Sequence, residues 1–488
     1  MMLLLLTIVL WGLVFLAWSE RQGLLFPPFL FSIGFAVCAT MLLMFNVWET
    51  DISWTTFVVV SSGVACFAVC CVIIKRLDCK ARLAKDEEIS LVPISRCLIC
   101  ISILIEMVVV VWSAYQITLL FPSNSLMSSI AQYGIDFKFH GGDGSLGALL
   151  DNIRLLCVAW TYFISYLLAQ ELVQKRYSNA ALLSVAFVLG CLVQLETGGR
   201  YGTFMFISVL IVCYIILLCQ RHRAFPIRIT SKQIICAVFI IIAVLVFLRF
   251  GAVGRETSSY GFIEYLTIYC GAELLNLDLF INADEWFQPA VHGWATFGLS
   301  LGWLGDHLGI ASWQYHPNSF DILPYQEIHG HDLGNVYTCF YSYILDFGYL
   351  GILVCIVPMA VLSQICFDKA RGALKSKRKD MWIVLYGFIA VQLLMSFFSD
   401  KFYSELASLS SLKLIVLFCL LRWLYLRGAS HSRLMVGGPS NPSCGARDNN
   451  SHAVSVLAMS WRTTHSGFDA VRKTNEDPFS SISKGSAN

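Results

Sequence analysis

The chain has 488 residues, 57% of them hydrophobic and 14% charged. That balance excludes an ordinary soluble globular protein and fits a chain that crosses a membrane many times. The formal net charge of +2 carries little information, whereas the places where the charges fall carry much more.

A helix needs about 20 apolar residues to cross a bilayer core. Runs of that kind recur, and the spans predicted in chain order begin with Met2–Trp18, Leu24–Trp48, Trp54–Ile74, Cys97–Phe121 and Leu150–Leu172. Asn179–Leu195, Thr203–Leu218, Gln233–Phe250, Val336–Cys366, Met381–Phe398 and Ser411–Leu426 complete the set. The fold class is therefore all-α: a polytopic membrane protein with about 11 (10–12) transmembrane helices and one large loop containing short helices. The first run has no basic segment before it and no small-residue cleavage site after it, so it reads as a retained helix.

Lys and Arg crowd into alternate connections. These are Lys75 to Lys85, then Lys175 and Arg176, then Arg221, Arg223 and Arg228, then Lys369 to Lys379. The positive-inside rule makes those connections cytoplasmic, with the N-terminus outside and the C-terminus inside. Most of the 18 Cys lie within apolar runs, where the residue acts as a small apolar filler.

Two outer segments stand out. The shorter, from Pro122 to Leu149, holds Asp136, Lys138, His140 and a Gly-Gly-Asp-Gly turn. The longer, 251–335, has about 85 residues, far more than a connector needs. Its aromatic-rich stretches Tyr260–Ile281 and Trp294–Ile310 read as interfacial or re-entrant helices on the membrane surface. Beyond Arg433 apolar periodicity stops, and 434–488 reads as a disordered cytoplasmic tail on a membrane domain of residues 1–430.

Four groups of residues carry candidate chemistry. The first is the outer turn Glu196-Thr197-Gly198-Gly199-Arg200-Tyr201-Gly202: paired glycines expose backbone N–H groups that can bind an anion, and Arg at membrane depth faces a polar cavity or a partner. The second is Arg249 with Arg255 where the eighth span leaves the membrane, since guanidinium groups bind phosphate bidentately. The third is the loop histidines His292, His307, His316, His329 and His331. His329-Gly330-His331-Asp332 resembles a metal site on paper, and imidazole also serves as a general base. The fourth is Asn335, Tyr337, Tyr343 and Asp346, able to hydrogen-bond a sugar; an aromatic belt is the competing role for the tyrosines. Asp346-Phe347-Gly348 does not make a kinase, because no glycine-rich nucleotide loop or catalytic-loop motif accompanies it. Glu106, inside the fourth span, needs protonation or a partner.

The Gly-Gly-Arg turn, the long loop opening with an arginine, and the Asn-Val-Tyr-Thr…Asp-Phe-Gly-Tyr-Leu-Gly string together resemble the bacterial O-antigen polymerases, also called oligosaccharide repeat unit polymerases. The resemblance spans about residues 1–430, with its residue-level part at 196–351. It departs from a pattern described for some members, Arg then ten residues then Gly: counting from Arg200 reaches Ile211, and from Arg255 reaches Leu266.

The resemblance implies an inner-membrane glycosyltransferase working at the periplasmic face in lipopolysaccharide biosynthesis. It would transfer a growing polysaccharide from undecaprenyl diphosphate to a lipid-linked repeat unit. Diphosphate binding then falls to Arg200, Arg255, Arg249, Gly198 and Gly199. His329 or His331 is the base, with Glu327 and Asp332 as rivals, and Asn335, Tyr337 and Asp346 are sugar contacts. Neither cofactor nor metal is expected. Expected partners are the undecaprenyl-diphosphate-linked oligosaccharide, membrane lipid and a chain-length regulator, with no nucleic acid. An O-antigen ligase, which differs in acceptor, and a lipid-linked oligosaccharide flippase remain alternatives.

Overall fold

The computed structural model describes residues 1–77, 91–139, 145–196, 200–222, 262–283, 291–310, 313, 323–372 and 378–436. Among the described residues, eight helices come before the large loop: α1 (Met2–Ser19), α2 (Pro27–Met44), α3 (Trp54–Leu77), α4 (Arg96–Leu120), α5 (Leu126–Phe139), α6 (Ala148–Gln174), α7 (Tyr177–Leu195) and α8 (Tyr201–His222). The loop contributes α9 (Phe262–Cys270), α10 (Ala272–Ile281), α11 (Trp294–Leu308) and a hairpin of β1 (Gln326–Ile328) and β2 (His331–Gly334). Then come α12 (Cys339–Phe347), α13 (Leu350–Ala370), α14 (Lys379–Leu394), α15 (Lys401–Leu406) and α16 (Leu409–Val436). Among the described residues, ten helices are long and apolar enough to cross a membrane: α1 to α4, α6 to α8, α13, α14 and α16. The expected span Gln233–Phe250 and most of the expected tail lie outside the described residues, and α16 itself runs on to Val436.

α6 is the central helix, with 83% of its apolar window buried. It packs against α4, α7, α8, α14 and α16. Close approach is possible because Gly190 of α7 has no side chain: a Cβ there would lie 2.0 Å from Thr161 Oγ1 of α6. Lipid tails are as apolar as leucine, so such small-residue contacts and polar bonds do more than hydrophobicity to hold membrane helices together. A second group, α1, α2, α3 and α13, joins the first through α14, which packs on both α2 and α8. Its aromatic core stacks Phe31 on Phe67, ring centroids 4.4 Å apart, and sets Phe340 of α12 5.2 Å from Phe35.

The two ends of the bundle differ chemically. At one end, Lys75 pairs with Glu20, Arg371 with Asp368 at 2.6 Å, and Arg422 with Asp380. Arg176 and Arg221 lie at this same basic end, closing α6 and α8. The other end carries the large-loop elements. Its ties are Asp51, which accepts the Met2 and Leu3 N–H groups at 2.9 and 2.8 Å, and Asp278, which accepts Ser53 N–H at 2.8 Å.

One sequence expectation changes here. The predicted span Val336–Cys366 is two helices: Gly348, at φ 63°, ends α12, and α13 alone has membrane-crossing length. Glycine at this position supplies a positive φ that side chains rarely allow. Within the stretch Tyr260–Ile281, Ala272 to Leu277 are all buried, and α10 is sunk against α2 and α3. α11 exposes Leu299 and Leu308 and buries Trp294, Thr296, Gly302 and Gly305.

Candidate functional site

Arg200 begins α8, its carbonyl accepting Phe204 N–H at 3.0 Å. The next residue, Tyr201, donates its hydroxyl to Gln392 Oε1 of α14 at 2.7 Å. The ammonium of Lys401 sits 4.9 Å from the Tyr201 ring centroid, within the range of a cation–π contact. Lys401 opens α15, and Glu405 follows one turn later on the same helix. Burial raises the Glu405 carboxyl above its ordinary range, and Lys401 pulls it partly back. One cation, Lys401, thus faces the ring of the tyrosine that follows Arg200 in the chain.

A groove of about 300 Å³ ends at this corner. Its walls, almost wholly apolar, come from α6, α14 and α16 and include Tyr162, Phe388, Leu406, Ile415 and Phe418. It runs from Arg378 at the basic end to Leu406 and Ser411 at the loop end. Leu406 is the last residue of α15, next to Glu405. The arrangement is amphiphilic, with an apolar trough along the bundle and fixed charges at one mouth.

Beside the corner lie two buried carboxylates. Asp400 caps α15, its Oδ1 accepting Tyr403 N–H at 3.4 Å and the Tyr343 hydroxyl at 3.1 Å, while Oδ2 is buried without a partner. Burial pushes this carboxyl up to about 7, against the pull of those two donors. Asp346 accepts the backbone N–H groups of Ala295 at 3.1 Å and Thr296 at 2.7 Å, and so caps α11. Burial raises its carboxyl too. Asp346 had been placed in the outer part of a membrane helix; it ends the short buried α12 instead, and both its oxygens are spent on the α11 N-terminus.

The His329-Gly330-His331-Asp332 string is a hairpin. Ile328 pairs with His331 across a two-residue turn in which His329 (φ 52°) and Gly330 (φ 79°) are both left-handed. Two positive φ values match the turn twist that antiparallel strands favour. His329 is exposed and its Nδ1 lies 3.0 Å from the Trp48 carbonyl, while His331 and Asp332 are part-buried in β2. Asn276 of α10 donates to the Val336 carbonyl at 2.7 Å, fixing the chain beyond Asn335. The Tyr337 hydroxyl is spent on the Pro324 carbonyl at 2.9 Å. The hairpin packs on α9 and α10, whereas Tyr201, next to Arg200 in the chain, meets α14 and α15. Histidines and arginine share an end of the bundle but occupy different neighbourhoods there.

Gly198, Gly199, Arg249 and Arg255 lie outside the described residues. Residues that the sequence reading passed over are Lys401, Asp400, Glu405 and Gln392. A signal existed: Asp400-Lys401 directly follows an apolar run, on the side where Lys is scarce.

Compared with protein-family models, curated proteins and solved structures, the chain matches none.

Proposed function

We propose that this protein polymerises lipid-linked oligosaccharide repeat units, carried on undecaprenyl diphosphate, at the periplasmic face of a bacterial inner membrane. The observation that carries this reading is the Lys401 ammonium over the ring of Tyr201, the chain neighbour of Arg200, on a short helix whose last residue, Leu406, lines the apolar groove. A polyprenyl diphosphate has that polarity: a long apolar tail and a compact anionic head at the membrane surface. Groove and corner together would align it.

In the proposed reaction the acceptor sugar's hydroxyl attacks the anomeric carbon of the donor. The bond to the diphosphate oxygen breaks, and negative charge gathers on that oxygen. Fixed cations aimed there stabilise the transition state more than the ground state. Arg200 and Lys401 take this role, joined by Arg249 at the end of the eighth predicted span and Arg255 of the large loop. The hydroxyl proton passes to a base. His331 and Asp400 have the chemistry for it, and Asp400 adjoins Lys401 in the chain. Both substrates are held in one plane by their lipid tails, which lowers the entropic cost of bringing them together.

Deleting the gene in its own host and running the lipopolysaccharide on a silver-stained gel tests this. The expected result is core bearing one repeat unit with the ladder gone. Bare core would point to a flippase or a ligase, and an unchanged ladder would remove the protein from the pathway.

A further inference from the structure

At the basic end, far from the groove mouth, a second cavity of about 370 Å³ opens between the ends of α6 and α8. Leu91, Val173 and Leu217 form an apolar side, and Arg176, Arg221 and Gln174 a polar one. Gln170 also lines it, but its amide is spent on the segment before α4: Nε2 donates to the Val92 carbonyl at 2.9 Å, and Oε1 accepts Val92 N–H at 3.0 Å.

Gln174 is different. Its Nε2 and Oε1 are both buried, and neither has a hydrogen-bond partner among the described residues. A buried amide left unpaired costs about 1–3 kcal/mol, so such groups are normally satisfied. The site offers one amide donor and one amide acceptor between two guanidinium groups. Arg221 spends one donor on the Val173 carbonyl. Arg176 stands 4.0 Å from Glu171 Oε1 and is 62% exposed, and Glu171 Oε2 is taken by Asn179 at 2.8 Å. Donors on both arginines therefore remain to face the cavity.

We infer that this cavity binds the headgroup of an anionic, hydroxyl-bearing phospholipid of the phosphatidylglycerol type, from the leaflet at the basic end. The phosphodiester accepts from Arg176, Arg221 and Gln174 Nε2, and a glycerol hydroxyl donates to Gln174 Oε1. The apolar side receives the start of the acyl chains. Helix ends set the cavity at headgroup depth, and basic pockets between membrane helices on the cytoplasmic side are suited to anionic lipids. Phosphatidylethanolamine fits worse, because its ammonium would face two arginines. The inference does not depend on the proposed polymerase reaction.

The test uses the full chain, purified in detergent and stripped of lipid, with native mass spectrometry and thermal unfolding. The probes are phosphatidylglycerol, phosphatidylethanolamine with the same acyl chains, and inorganic phosphate. Wild type is expected to hold one phosphatidylglycerol at least tenfold more tightly than phosphatidylethanolamine, with a rise in melting temperature. Arg176→Gln, at an exposed residue, and Gln174→Leu should each lower that affinity about tenfold; the lipid-free melting temperature should stay unchanged in the first and be no lower than wild type in the second, which removes the unpaired amide. Equal binding of the two lipids, or variants that bind as wild type does, would overturn the assignment. Inorganic phosphate raising the melting temperature as much as the lipid would overturn it in favour of a free-phosphate site.

Discussion

In the proposed reaction Arg200 and Lys401 act through charge, and substitutions should report that directly. Loss of a single donor that stabilises a developing anion costs about 3–4 kcal/mol, or on the order of a hundredfold in rate. Arg200→Ala and Lys401→Ala are each expected to lower polymer yield by that order in a complemented deletion strain, with Arg200→Lys falling between. Tyr337 gives a contrast. Its hydroxyl serves the Pro324 carbonyl, so Tyr337→Phe should cost about 1 kcal/mol of stability and leave the ladder intact; a lost ladder at normal stability would put that hydroxyl on the sugar. Asp400 titrates from an ordinary 3.8 up to about 7 in the folded chain because it is buried. The folded chain then holds a proton that the unfolded chain has released. Stability is full below the unfolded value and declines as pH rises from about 4 to about 7, by a few kcal/mol at most. Asp346 shifts in the same direction. Thermal unfolding in detergent between pH 4 and pH 8 should show this decline, and Asp400→Asn should flatten it.

At the scale of elements, the join between α12 and α13 is the tightest point near the site. A Cβ at Gly351 would lie 2.0 Å from the Tyr343 carbonyl oxygen, so Gly351→Ala forces α12 to move. Overpacking of this kind costs about 1–3 kcal/mol or more. It should also disturb Asp400, through Tyr343, and Asp346, which closes α12. A drop in both melting temperature and ladder is expected; a variant with wild-type melting temperature would mean that the join is loose. Run length made ten spans legible in the sequence, because a bilayer demands it of every crossing helix. It could not separate α12 from α13, since both are apolar and Gly348 alone marks the join. The hairpin was hidden for another reason: its strands are three and four residues long, and His-Gly-His looks like ligand spacing when Gly330 in fact serves the turn. Arg200 stood out because cations are rare at that end. Asp400 did not, because its burial and its bond to Tyr343 arise only from packing.

Among the described residues, the ion pairs Lys75–Glu20, Arg371–Asp368 and Arg422–Asp380 brace the basic end, and the Met1 ammonium pairs with Asp51 at the loop end. Asp380 is 2% exposed beside Arg422. Breaking a buried pair by removing one partner typically costs about 3–5 kcal/mol, so Asp380→Ala should sharply lower the melting temperature in detergent, whereas Arg176→Gln, at an exposed residue, should leave the lipid-free melting temperature unchanged. This division suits a protein that anchors itself at the basic face and handles an amphiphile at the loop face.

In the proposed reaction the loop end joins lipid-linked sugars through Arg200 and Lys401. The purified chain, reconstituted in vesicles, is given the host's own undecaprenyl-diphosphate-linked repeat unit, with no nucleotide sugar, and the products are resolved on a gel. A ladder of repeat-unit multiples is expected, and Arg200→Ala and Lys401→Ala should both abolish it. A ladder that survives both substitutions would contradict the assigned corner, and no ladder from folded wild-type protein would contradict the polymerase itself.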